Sequence, residues 1–536
     1  MEALDWLVIG VFFLALIGII VWVVRQKQND SADYFLGGRD ATWLAIGASI
    51  FASNIGSEHL IGLAGAGASS GMAMAHWEIQ GWMILILGWV FVPFYTRSMV
   101  YTMPEFLERR YNPQSRTILS VISLVSYVLT KVAVTVYAGG LVFQQVFGIK
   151  ELWGIDFFWI AAIGLVVLTA LYTIFGGMKS VLYTSVLQTP ILLLGSLIIL
   201  VLGFKELGGW DEMMRVCGAV TVNDYGDTMT NLIRSNDDAN FPWLGALIGS
   251  AIIGFWYWCT DQFIVQRVLS GKNEMEARRG TIFGAYLKLL PVFLFLIPGM
   301  IAFALHQKYI GAGGEGFLPM LANGTANADA AFPTLVAQLL PAGVKGLVVC
   351  GILAALMSSL ASLFNSSAML FTIDFYKRFK PETPEKKLVG IGQIATIVIV
   401  VLGILWIPIM RSVGDVLYTY LQDVQSVLAP GIAAAFLLGI CWKRTSAQGG
   451  MWGLISGMVI GLTRLGAKVY YSNAGEVADS TFKYLFYDMN WLFFCGWMFL
   501  FCIIVVIVVS LATEAPTAEK IHGQVFGTDT KKQKAA

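Results

Sequence analysis

Apolar runs long enough to cross a bilayer recur along this 536-residue chain, separated by short polar loops. Thirteen can be placed, at about 4–24, 42–66, 76–98, 117–147, 156–177, 181–203, 242–269, 280–306, 332–376, 388–410, 416–441, 447–470 and 489–513. In hydrocarbon a backbone must satisfy its own hydrogen bonds, so the runs read as helices and the chain as an all-α integral membrane protein. Composition agrees, with 57% hydrophobic residues and only 13% charged ones, about half the share usual in soluble domains. The first run starts beside acidic Glu2 and Asp5 rather than a basic segment, so it reads as a retained helix and not a secretory signal. One transmembrane domain, residues 1–513, accounts for nearly everything, and 514–536 read as a short polar tail without a domain of its own.

Charge sets the orientation. Lys and Arg concentrate on alternate loops, as with Arg25 and Arg39, then Arg97, Arg109, Arg110 and Arg116, then Lys377, Arg378, Lys380, Lys386 and Lys387. By the positive-inside rule the N-terminus is outside and the tail cytoplasmic, which an odd number of spans also requires. The expected setting is the cell (inner) membrane. A formal net charge of +1 gives no reason to expect a nucleic-acid partner, and the six cysteines show no metal-binding spacing.

Ionisable and amide side chains within spans are costly and mark function by default. They cluster: Asn54, Glu58 and His59 in the second run; Glu78 and Gln80 in the third; Asp261 and Gln262 in the seventh, beside Trp256, Tyr257 and Trp258; Lys288 in the eighth; Ser358, Ser359, Ser362 and Asn365 in the ninth; Gln422 and Asp423 in the eleventh. Each also has a purely structural reading. Glu58 and His59 could pair near the outer surface, Asp261 and Gln262 lie near the inner end where water could reach them, and Ser358 and Ser359 could serve close helix packing. The set is harder to dismiss, because a polar cavity near the midplane would satisfy groups from six helices at once.

Two runs read as broken helices: ASNIGSEH in the second span and GFWYWCTDQ in the seventh, five helices apart. Matching breaks in two five-helix halves point to an inverted-repeat transporter. Unwound carbonyls with the Ser358 and Ser359 hydroxyls suit a hard monovalent cation such as sodium. Asn54, Glu78, Lys288 and Gln422 mix donors and acceptors in a way that fits a neutral polyhydroxylated solute, with Tyr257 or Trp258 as a stacking face. No nucleophile triad or metal cluster supports an enzyme.

FASNIGSEHLIGLAGAGA, YTMPEFLERRY, LYTIFGG, FWYWCTDQFIVQR, YLKLLPVF and LMSSLASLFNSSAMLFTIDFY resemble the sodium/glucose (galactose) cotransporter family of the sodium–solute symporter superfamily, in order and over about residues 30–470. The resemblance implies a five-plus-five inverted-repeat core of the LeuT type, about residues 42–441, working by alternating access as a functional monomer. It implies a sugar held by Asn54, His59, Glu78, Tyr257, Trp258, Lys288 and Gln422, with gates at Leu63, Trp77, Tyr257 and Tyr418. It implies sodium at the carbonyls of Ala52, Ile55 and Ala355 and the hydroxyls of Ser358 and Ser359. Members with a second sodium site carry an acidic residue where this chain has Ser185 and a hydroxyl where it has Ala361, so one sodium per sugar is expected. The lack of a fourteenth helix and of a Cys-rich outer loop suggests a bacterial member. Symport of another solute (an inositol, a sialic acid or an amino acid), or a sugar-gated sodium sensor or channel on the same scaffold, are the alternatives.

Overall fold

The computed structural model describes all residues except 27, 29, 57, 322–323, 413–416, 474–477 and 529–536, and the backbone alone of 58, 129, 409–412 and 417–423. Its architecture is helical throughout, with one two-stranded hairpin, Glu151–Leu152 against Ile155–Asp156.

Ten helices among the described residues are long and apolar enough to cross a membrane. The thirteen runs read from the sequence are thus not confirmed as a count, and three places account for the difference. The second run is interrupted, leaving Trp43–Asn54 too short to count, while its remainder, through Ala64–Ser70, is set off from the third run by a left-handed turn at Gly71 (φ 76°, ψ −145°). The fifth and sixth runs lie within one stretch, Phe157–Leu207, that turns at Gly177 (φ 52°, ψ −148°). A left-handed conformation there needs glycine, and an added Cβ would strike the Tyr34 carbonyl. The twelfth, Ala447–Asn473, is long but glycine-rich and carries Arg464 and Lys468, so it is less apolar than the rest.

Exposure separates the helices by role. Ala3–Val24 and Trp491–Ala512 turn most of their apolar side chains outward, as lipid-facing helices do. Val344–Met369 is buried on nearly every face. It packs against Phe157–Leu207 and Trp43–Asn54, so it runs through the middle of the bundle. Its small residues, Ala354, Ala355, Ser358, Ser359, Ala361 and Ser362, allow that close approach. The tail returns to the bundle: Phe526 packs edge-on against Phe94 at 4.7 Å between centroids, and Lys520 Nζ donates to the Tyr111 carbonyl at 3.0 Å.

Candidate functional site

Both expected helix breaks are present. Trp43–Asn54 stops where Ile55 turns extended (φ −77°, ψ 100°), and the chain resumes through the widened turn Glu58–Leu63 into Ala64–Ser70. Asn54 and the flanking serines compete for the backbone and favour such an end. Gly56 is required for packing as well: a Cβ there would lie 2.8 Å from Ser359 Oγ. In the seventh run Trp243–Gly254 passes into the widened turn Phe255–Thr260, and the break falls at Asp261 (φ −76°, ψ 127°). Asp261 caps Gln262–Leu269 by accepting from the Phe263 amide at 3.2 Å.

A cavity lies between these breaks, lined by Asn54, His59, Trp77, Glu78, Gln80, Ile253, Tyr257, Trp258, Lys288 and Gln425. Six of the seven residues expected around a solute are thus brought together. The seventh, Gln422, and the gate residue Tyr418 lie outside the described residues. Leu63 is packed in the core rather than on the cavity wall. Trp77 lines the cavity and packs against Trp491 at 5.4 Å. The cavity volume is about 30 Å³, room for a water or two rather than a six-membered ring, so the walls must part to admit one.

Its charges cancel within the wall. Lys288 Nζ lies 2.6 Å from Glu78 Oε2, and His59 Nε2 lies 3.3 Å from Glu78 Oε1. Lys288 Nζ also approaches His59 Nε2 to 2.7 Å. Lys288 and Glu78 are the wall's permanent charges among the described residues, one cation and one anion. Gly81 makes room for the pair, since a Cβ there would meet Lys288 Cγ at 2.6 Å. Around the pair stand amides and rings. Asn54 Nδ2 donates to the Tyr257 hydroxyl at 3.0 Å, and Tyr257 meets Trp258 edge-on at 4.9 Å. Asn54 Oδ1 and Gln80 Oε1 are buried and accept no hydrogen bond among the described residues. Leaving such an acceptor unmet costs about 1–3 kcal/mol, so a wall that keeps two of them is suited to a ligand that brings donors.

The serines of the central helix meet the broken end of Trp43–Asn54. Ser359 Oγ donates to the Ser53 carbonyl at 2.7 Å and reaches the Ile55 carbonyl at 3.4 Å. Ser358 Oγ lies 3.2 Å from Ser185 Oγ, which itself donates to the Val181 carbonyl at 2.6 Å. Ala52, Ala355 and Ala361 are buried in the same packing. Carbonyl and hydroxyl oxygens dominate, with no carboxylate at Ser185.

Sequence reasoning missed three residues. Gln80 was visible as an intramembrane amide but was not placed on the cavity. Gln425 stands three residues after Gln422, on the same helical face, and that spacing was the available signal. Lys131, within the run 117–147, forms a second buried pair with Asp261 at 2.8 Å. Asp261 and Gln262 are correspondingly buried, 4% and 1% exposed, rather than reached by water at an inner end.

Comparisons with known proteins give the family and the fold. The model of the Sodium:solute symporter family matches residues 34–457. Sodium/myo-inositol cotransporter 2 of Mus musculus is 37% identical over 535 residues, covering 97% of this chain and 78% of the relative. Sodium/glucose cotransporter 4 of Danio rerio is 36% identical over 537 residues, covering 97% and 80%. These relatives are animal proteins, so the bacterial placement finds no support. Among solved structures, the substrate-bound outward-open state of a Na+-coupled sialic acid symporter superposes with a TM-score of 0.76 at 21% identity, covering 96% of this chain and 99% of the other, a likeness of fold. The chain belongs to the sodium:solute symporter family, and is a multi-pass membrane protein that couples a small solute to sodium.

Proposed function

We propose that this symporter couples inward sodium movement to uptake of a neutral ring polyol, either a hexose such as glucose or galactose or an inositol. One observation carries the reading. Among the described residues the cavity's permanent charges, Lys288 and Glu78, neutralise each other at 2.6 Å, while Asn54 and Gln80, which also line it, each keep a buried amide oxygen without a hydrogen bond. A sialic acid would bring a net negative charge and an amino acid a carboxylate with an ammonium, and among the described residues the wall has no charged group left over from the Lys288–Glu78 pair to receive either. Hexose and cyclitol both present a circle of hydroxyls to the same amides, and relatives named for each are about equally similar to the chain.

Sodium is assigned to the carbonyls of Ala52, Ile55 and Ala355 with the Ser358 and Ser359 hydroxyls. Support comes from the approach of Ser359 Oγ to the Ile55 carbonyl. An ion there would tie the broken helix to the central helix and so bias which side of the cavity opens. Sodium raises solute affinity only through its differential affinity for the two states. With Ser185 and Ala361 supplying neither a carboxylate nor a hydroxyl pair, one sodium moves per solute. At 100 mV one charge contributes about 2.3 kcal/mol to accumulation. The orientation follows the basic loops, with the N-terminus outside and the tail cytoplasmic, and the unit of transport is the monomer.

The test is uptake of labelled glucose, galactose and myo-inositol into proteoliposomes, with and without an inward sodium gradient. Sodium-driven accumulation of at least one is expected. Failure of all three would remove the polyol reading, and a sodium current without accumulation would favour a sensor or channel. A dual-isotope flux ratio near two sodiums per solute would remove the single-ion claim.

A further inference from the structure

We infer that Gln80 is a specificity-determining residue of this site: its amide oxygen accepts a hydrogen bond from one defined hydroxyl of the ring. The inference rests on the polyol reading above and names a contact within it.

Gln80 opens the tight turn Gln80–Trp82 that interrupts the third run after Ala75–Ile79. On that helix Gln80 follows Trp77 by three residues and shares its face, while Gly81 follows Glu78 by three and shares the other. The two faces divide the work. Gly81 leaves the space under Glu78 to the Lys288 stem, and Gln80 turns toward the seventh run. Gly254 receives it there, at the point where the widened turn begins. A Cβ on Gly254 would lie 2.7 Å from Gln80 Oε1, so any other residue would push that oxygen out of place. Gln80 is buried and lines the cavity, and its Oε1 accepts no hydrogen bond among the described residues.

Glu78 differs in kind. Its carboxylate is held in an ion pair, Oε2 lying 2.6 Å from Lys288 Nζ, so it discriminates among ring hydroxyls weakly. Gln80 Oε1 is an acceptor and nothing else, lies against Gly254, and is engaged by no hydrogen bond among the described residues. A hydroxyl opposite it donates, whereas a hydrogen, a fluorine or a methoxy group at that ring position leaves the buried oxygen unmet. Sites that hydrogen-bond one hydroxyl reject the analogue lacking it far more strongly than apolar pockets reject a size change.

The experiment is sodium-driven uptake in proteoliposomes competed by a series of monodeoxy analogues of the transported polyol, for the wild type, Gln80→Met and Gln80→Glu. Methionine keeps the length without a strong acceptor, and glutamate keeps an acceptor in place. In Gln80→Met the half-saturating polyol concentration is expected to rise about 3- to 15-fold. One deoxy position that the wild type penalises should lose its penalty, with the others unchanged and the sodium dependence unmoved. Gln80→Glu should retain that penalty. A deoxy profile that is the same in Gln80→Met and wild type overturns the assignment, as does loss of the penalty in Gln80→Glu. If Gln80→Met does not reconstitute, the Gln80→Glu profile decides alone. A wild type that moves no polyol overturns the assignment together with the reading beneath it, whereas wild-type uptake with an unaltered profile overturns the assignment only.

Discussion

Two lysine–carboxylate pairs are buried in this bundle, and they have almost the same geometry. Lys288 meets Glu78 at 2.6 Å, and Lys131 meets Asp261 at 2.8 Å. Their surroundings differ. Glu78 and Lys288 line a cavity among amides with unmet acceptors. Asp261 accepts from the Tyr127 hydroxyl and caps a helix at Phe263, while Lys131 sits under the rings of Tyr127, Trp256, Tyr257 and Phe263 at 4.6–5.5 Å. A pair closed by its partners serves the fold, and a pair left beside open acceptors serves a ligand. The same two residue types thus carry different duties, set by what completes their hydrogen bonding.

The largest effect should fall on the closed pair. Asp261→Ala leaves the Lys131 ammonium buried without its counter-charge and removes the cap of Gln262–Leu269. A loss of about 3–5 kcal/mol is expected, read as a lowered unfolding midpoint in detergent. Adding Lys131→Met to Asp261→Ala should recover part of it, since the orphan ammonium is gone and only the buried Arg267 guanidinium still lacks the Asp261 charge. Glu78→Ala should cost less stability, because its cavity admits water. The comparison breaks if Glu78→Ala unfolds earlier than Asp261→Ala.

The open pair should show itself in transport instead. Lys288→Ala removes a charged donor from the cavity and leaves Glu78 without its cation. Solute affinity should fall about 30- to 100-fold, or roughly 2–3 kcal/mol, in an uptake titration. A shift under threefold would detach the pair from the solute. Ser359→Ala sharpens the distinction from the ion's side. It deletes the hydroxyl facing the Ser53 and Ile55 carbonyls. Half-saturating sodium should rise about tenfold, with solute affinity restored at saturating sodium and the unfolding midpoint little changed. Unaltered sodium dependence after removal of both the Ser358 and Ser359 hydroxyls would locate the ion elsewhere.

Much of this was legible in the sequence. ASNIGSEH marked a real interruption because Asn, Gly and Ser each weaken a helix locally, and the end of the fifth run at Gly177 was visible as glycine in LYTIFGG. The family resemblance named six of the cavity residues, and intramembrane polarity alone singled out Asn54, His59, Glu78 and Lys288 among them, since hydrocarbon leaves such groups few other places. What stayed hidden was pairing and direction. Lys131 and Asp261 lie 130 positions apart, and no local pattern announces their contact. Lys131 alone looked like one charge in a long apolar run. Gln80 read as a neighbour of Glu78, but the side of the helix it serves depends on Gly254, in a different run. A count of spans turns on the same details, because runs separated by one left-handed glycine, as at Gly71 and Gly177, or a helix that ends halfway, as after Asn54, do not map one to one onto long helices.

Tyr257 joins the two regions, and it is where the contrast can be tested most finely. Its hydroxyl receives Asn54 Nδ2 at 3.0 Å on the cavity side, and its ring lies 4.6 Å from Lys131 Nζ on the other. Tyr257→Phe removes the first contact and keeps the second. The expected result is a loss in solute affinity of about fivefold, close to 1 kcal/mol, with the unfolding midpoint unchanged. Tyr257→Leu removes both, and should add about 0.5–2 kcal/mol of destabilisation by uncovering the Lys131 charge. If Tyr257→Phe destabilises the fold as much as Tyr257→Leu does, the hydroxyl belongs to the closed pair's network and the boundary drawn between the two regions is misplaced. If Tyr257→Leu leaves the midpoint where Tyr257→Phe does, the other three rings suffice to cover Lys131, and Tyr257 answers to the cavity alone.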